Sequence, residues 1–162
     1  MNDAHLHMVV NHFPIIGTIL AIGILTAGLL SKNQSIINTS YVLFIIGAVF
    51  GVLSMNTGEG AEEMVEDMPS IGWKIIHEHE ELAEKMALLL NILGVLSLIG
   101  FYFQYKRNPK QKLVSYLILI IGIASLFVIQ KVGTSGGEIR HTEIRNSTSS
   151  TLSDKENTDH DD

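Results

Sequence analysis

Apolar residues fall into four uninterrupted blocks along the chain: FPIIGTILAIGILTAGLL (13–30), YVLFIIGAVFGVLSM (41–55), MALLLNILGVLSLIGFYF (86–103) and LVSYLILIIGIASLFVIQ (113–130). None contains an acidic or basic side chain. A helix needs roughly 20 residues to cross the hydrocarbon of a bilayer, within a range of about 17–25, so three blocks suffice as they stand. The second reaches that length when residues 36–40 join it on one side and 56–58 on the other. Helices of a soluble bundle would carry a charged stripe at helical spacing, and these blocks carry none. The pattern therefore predicts an all-α fold, an integral membrane four-helix bundle with spans at about 12–31, 37–57, 79–104 and 112–132 in one domain of residues 1–144.

The polar segments set the order. Short connections between spans require an up-down-up-down path, which puts both termini and the middle loop EGAEEMVEDMPS on one side and leaves SKNQSIINTS and QYKRNPKQK on the other. The second of these carries Lys106, Arg107, Lys110 and Lys112, so the positive-inside rule makes it cytoplasmic. Both termini are then expected on the outer side, in the periplasm or exterior if the membrane is a bacterial inner membrane. The amino terminus MNDAHLHMVV lacks the basic region and cleavage site of a secretory signal, so the first span is expected to remain. Residues 145–162 are polar, acidic and free of aromatics, the composition of a disordered tail.

Composition adds exclusions. A chain of 162 residues has room for one domain, and 46% hydrophobic with 17% charged residues is apolar for its size. Without cysteine there are neither disulfides nor thiolate metal ligands. No Ser-His-Asp spacing, phosphate loop or basic groove supports a hydrolase or a nucleic-acid partner.

The histidines are distributed unevenly. Of seven, His160 lies in the tail and the other six, His5, His7, His12, His77, His79 and His141, all fall on the expected outer side. Glu59, Glu62 and Glu63 join them there. Helical phase places His12 on one face with Ile16, Ile19, Gly23 and Thr26, and small and hydroxyl residues favour close helix contacts, so that face is expected to point into the bundle. Pro14 suits a first helical turn. On the third helix His77 aligns with Glu81, Glu84 and Asn91, a polar stripe expected to avoid lipid, whereas His79 aligns with Ala83, Met86, Leu90 and Gly94. Either imidazole could turn inward.

Several short motifs resemble a family of small predicted four-helix bacterial membrane proteins catalogued as a domain of unknown function, some of which are joined to Rieske iron-sulfur domains. In HMVVNHFPIIG, His7 and His12 stand at the family's five-residue step and Phe13 and Pro14 are kept, but Met8 replaces a proline. NTGEGA resembles its Thr-Gly turn after the second helix, and His77 or His79 matches a histidine opening the third. GTSGGEIRH resembles a Gly-Gly turn after the fourth through Gly136, Gly137 and Ile139, while His141 stands near an expected tyrosine or histidine. The resemblance covers residues 5–144 and implies a redox setting.

Three chemistries fit these residues. The first is a b-type haem near the outer face, held by neutral imidazoles of the diagonal first and third helices: His12 with His77 or His79, and His7 and His141 as further candidates. Lacking an inner site, such a protein would exchange electrons with quinol or a redox partner at the outer surface. The second is a non-haem iron, zinc, copper or manganese site drawn from His12, His77, His79, Glu59, Glu62, Glu81, Glu138 and His141. The third is a cofactor-free accessory subunit whose histidines respond to pH.

Overall fold

The structure, a computed structural model, describes residues 2–64 and 73–141. It contains five helices in that range: α1 (Asp3–Val10), α2 (His12–Leu30), α3 (Gln34–Glu63), α4 (Trp73–Tyr105) and α5 (Lys110–Arg140). The acidic middle loop lies partly, and the expected tail wholly, outside the described residues.

Helices α1 and α2 act as one segment, because the backbone at Asn11 between them is still helical and its N–H bonds to His7 O at 2.9 Å. Pro14 explains the discontinuity. It has no N–H to give to the carbonyl four residues earlier, that of Val10, and its ring crowds that carbonyl. Counting α1 with α2, four helices are long and apolar enough to cross a membrane, with mean hydropathy of 2.1 to 2.4 in their most apolar windows. Each extends beyond its apolar block at the histidine-bearing end. The segments NTGEG and GTSGG, expected as turns, are continuous helix in α3 and α5. Neither contains a proline, so nothing in them compels the backbone hydrogen bonds to stop.

The helices close into a ring: α2 on α3, α3 on α4, α4 on α5, and α5 back on α2, with α1 leaning on α3. Helices α2 and α4 therefore face each other across the diagonal. The main core gathers Ala21, Ile22, Leu25, Ile37, Tyr41, Phe44, Leu93, Val114 and Ile118. A smaller cluster of Met86, Leu90 and Ile129 lies nearer the histidines along α4. Close approach depends on missing side chains: a Cβ at Gly94 would stand 2.7 Å from Ala48 Cβ, and one at Gly100 would stand 2.7 Å from the Tyr41 ring. Tyr41, fully buried, shares a 2.6 Å hydrogen bond with Ser115, whose hydroxyl also reaches Gln111 O at 3.0 Å.

Two turns at the far end share one construction. After α2, Lys32 has φ 52°, Asn33 N–H bonds to Gly28 O and Lys32 N–H to Leu29 O. After α4, Arg107 has φ 50°, Asn108 N–H bonds to Phe103 O and Arg107 N–H to Gln104 O. Both are Schellman closures with a basic residue in the left-handed position usually given to glycine. In each the next asparagine accepts from the start of the following helix: Asn33, the N-cap of α3, takes Ser35 N–H at Oδ1, and Asn108 Oδ1 takes Lys110 N–H.

Candidate functional site

The inward face of the first segment is set by seven-residue spacing. Pro14, Ala21 and Gly28 are buried along it with Thr18 and Leu25, and His7 continues the same row one heptad earlier. His7 is part-buried, and its Nδ1 lies 3.0 Å from Ser54 O and 3.2 Å from Thr57 Oγ1 on α3. The inward face of α4 carries Ile76, Met86, Leu90, Leu93 and Gly94, and His79 lies on that row. His79 is part-buried too, with Nδ1 2.9 Å from Ser135 Oγ on α5.

The partners decide where the ring protons sit. A carbonyl oxygen only accepts, so His7 Nδ1 must carry the proton that it gives to Ser54 O. Thr57 Oγ1 directs its own proton to Leu53 O and Ser54 O, at 3.0 and 3.1 Å, and is left to accept. At the other ring, Val132 O lies 3.1 Å from Ser135 Oγ, and with the hydroxyl proton directed there Ser135 accepts from His79 Nδ1. These contacts fit the Nδ1–H tautomer at both rings, which in the neutral imidazole leaves the lone pair on Nε2. Neither Nε2 has a hydrogen-bond partner among the described residues.

Glycines make room for both rings. A Cβ at Gly58 would meet His7 Cε1 at 3.4 Å, and one at Gly136 would meet His79 Cε1 at 3.1 Å. Each half of the bundle thus repeats one arrangement: a histidine opening the first helix, with a hydroxyl and a glycine near the end of the next. Asn11, one turn beyond His7, adds a buried Oδ1 that has no hydrogen-bond partner among the described residues.

Of the other expected site residues, His77 and Glu81 meet on the exposed face of α4, and the hydrogen bonds that hold His7 and His79 go to Ser54, Thr57 and Ser135 instead. His12 is exposed and turned back onto Met8 O, and its companions Ile16, Ile19 and Gly23 are also on the outside. The inward expectation for that face is corrected: α2 has two rows of small residues, and the one through Pro14, Ala21 and Gly28 packs. His77 is exposed, stacks on Trp73 with centroids 4.9 Å apart, and lies 3.5 Å from both Glu80 and Glu81. The stripe of His77, Glu81, Glu84 and Asn91 lies on the outside, not within the bundle. Glu59 and His141 are exposed, while Glu62 and Glu138 are part-buried. Among the described residues no three His, Asp or Glu side chains are grouped to hold a metal ion.

Ser54, Thr57, Ser135 and Asn11 went unnoticed in the sequence. One signal was available: His5-Leu6-His7 and His77-Glu78-His79 repeat a His-x-His at the head of each half, and in both the second histidine turns inward. Comparison of the chain with family models, curated proteins and solved structures gives no match.

Proposed function

We propose that the protein is an up-down-up-down integral membrane bundle that holds a b-type haem near its outer face through His7 and His79, and acts in electron transfer. The observation that carries this reading is the pair of part-buried imidazoles on diagonal segments, each fixed at Nδ1 and without a hydrogen-bond partner at Nε2 among the described residues. Bis-imidazole ligation requires that tautomer, and a hydrogen bond at Nδ1 orients the ring and raises the basicity of Nε2. Ser54 O and Thr57 hold His7, and Ser135 holds His79. Gly58 and Gly136 let the two rings pack closely against α3 and α5. Met86, Leu90 and Ile129 seal the site from below against water.

A haem held in this way supplies one-electron exchange. Only two protein ligands are needed, which suits this site better than a non-haem metal requiring three or more. The basic turn at Lys106 to Lys112 favours a cytoplasmic location for the opposite end, so the site would face the periplasm or exterior of a bacterial inner membrane. A quinol or an outer redox partner would then be the electron source or sink. The family resemblance points the same way through its Rieske fusions.

The test is an absorption spectrum of detergent-purified protein, oxidised and reduced, with metal analysis of the same sample. A Soret band with a sharpened α band on reduction is expected. Iron, zinc or copper without that band would favour the non-haem reading, and neither would leave an accessory subunit.

A further inference from the structure

Helix α4 has a second regular face. Its inward side repeats through His79, Met86, Leu93 and Gly100, and the opposite side through Leu88, Asn91, Val95, Leu98 and Tyr102. All five of the latter are exposed, and they follow one another at alternating steps of three and four residues, the spacing of the seam by which two helices supercoil. Four of them suit lipid as well as they suit another helix. Asn91 does not.

Asn91 is the sixth residue of its apolar block, which puts it about 8 Å inside the edge of the hydrocarbon at roughly 1.5 Å per residue. Its short side chain cannot reach back to the head groups as a lysine does. The hydroxyls of Thr18, Thr26, Ser115 and Ser125 return their protons to carbonyls of their own helices, at 2.6 to 3.0 Å. Asn91 makes no such bond to any described residue. It is also the one amide in the interior of the four apolar blocks, with two N–H donors and a carbonyl to satisfy. Facing hydrocarbon these groups cost free energy that a second amide opposite them would offset.

We propose that this face of α4 joins a second copy of the chain in a parallel pair centred on Asn91. Copies inserted by the same charge rule stand in the same orientation, so the two-fold axis runs along the membrane normal and each residue of the seam meets its own counterpart. That condition selects among polar side chains. A carboxylate or an ammonium would repel its copy, whereas an amide is its own complement: each Asn91 gives an N–H to the carbonyl of the other. Leu88 closes the seam on the outer side of Asn91, and Val95, Leu98 and Tyr102 on the inner side. Beyond Leu88 the same stripe carries Glu81 and Glu84, where like charges would meet, and Lys85 is already engaged with Glu81 at 3.2 Å, so the contact ends there. The inference rests on the membrane-inserted bundle proposed above and is independent of the haem.

The chain has no cysteine, so an introduced one reports contact between copies without interference. Full-length Val95→Cys and Ile120→Cys chains are oxidised with copper phenanthroline in carbonate-washed membranes, and the products are separated without reductant. Ile120 lies on α5, 66% exposed, and stands about as far from the inner end of its block as Val95 does. Val95→Cys is expected to give a disulfide-linked dimer and Ile120→Cys to give none. In sedimentation equilibrium in detergent, with helix content checked by circular dichroism, Asn91→Leu is expected to raise the dimer dissociation constant about tenfold, and Asn91→Gln, which keeps the amide, by less than about threefold. Equal yields from the two cysteines, a product linked to a different polypeptide, a monomer at every concentration, or an unchanged constant in Asn91→Leu would each overturn the pairing. The cysteine arm decides without replacing Asn91. Absence of the chain from the washed membranes would overturn membrane insertion and the pairing together, whereas an inserted chain that does not pair overturns the pairing alone.

Discussion

Replacing Gly94 by alanine should separate the packing of this bundle from its helix propensity. The added Cβ would lie 2.7 Å from Ala48 Cβ. Carbon atoms in ordinary contact stand about 3.5–4.0 Å apart, so α3 and α4 must move apart by about 1 Å. Neither methyl has a rotamer to escape into, and Phe44 O at 3.8 Å limits movement to one side. Overpacking of this kind costs about 1–3 kcal/mol. Alanine also gains up to about 1 kcal/mol of helix propensity over glycine, which would obscure the loss in a single variant. Gly23→Ala supplies the reference, since a Cβ there meets nothing within 4 Å. The difference between the two variants cancels the propensity gain and should equal the packing cost, with Gly94→Ala less stable by about 1–3 kcal/mol. Reversible unfolding in mixed detergent–SDS micelles, followed by far-ultraviolet circular dichroism, measures it. Equal stability of the two variants, or a more stable Gly94→Ala, would refute the close α3–α4 contact.

Three further perturbations follow. Lys32→Gly relieves a left-handed backbone at the α2–α3 turn and should raise stability by about 0.5–1 kcal/mol in the same assay. Tyr41→Phe removes the buried hydrogen bond to Ser115 and should cost about 1 kcal/mol, with Phe101, which meets the ring edge-on at 5.3 Å, keeping the apolar contact. Ser135→Ala takes the acceptor from His79 Nδ1 and should lower haem occupancy on purification, by about tenfold in affinity, whereas Thr134→Ala, exposed on the same helix, should leave it unchanged.

Much of the architecture could be read from the chain because hydrocarbon imposes a one-dimensional rule on length and charge. The four blocks follow from local periodicity alone, which also offers the row of His79, Met86, Leu90 and Gly94 as one of two candidate inward faces of α4. The ends of the helices do not, because the apolar blocks mark hydrocarbon and not hydrogen bonding. Polar segments such as NTGEG stay helical beyond the block, and in doing so bring Thr57 and Gly58 to His7. The inward placement of the His12 face failed for a related reason. Two small-residue rows run along α2, one through Gly23 and Thr26 and one through Ala21 and Gly28, and only the neighbours they meet distinguish them. Gly28, for example, lies against Ile37, a contact across the turn that periodicity does not encode. Likewise Ser54 and Ser135 reach their histidines across 47 and 56 residues, a distance over which the sequence carries no phase.

The central claim is that His7 and His79, and not their more exposed neighbours, are the ligands. It is tested most directly by haem content per chain, read from the pyridine haemochrome spectrum, across four purified alanine variants. The account predicts that His7→Ala and His79→Ala each lose the haem, while His12→Ala and His77→Ala retain it at the wild-type level. Retention of full haem content in both His7→Ala and His79→Ala, or its loss in His12→Ala alone, would contradict the account.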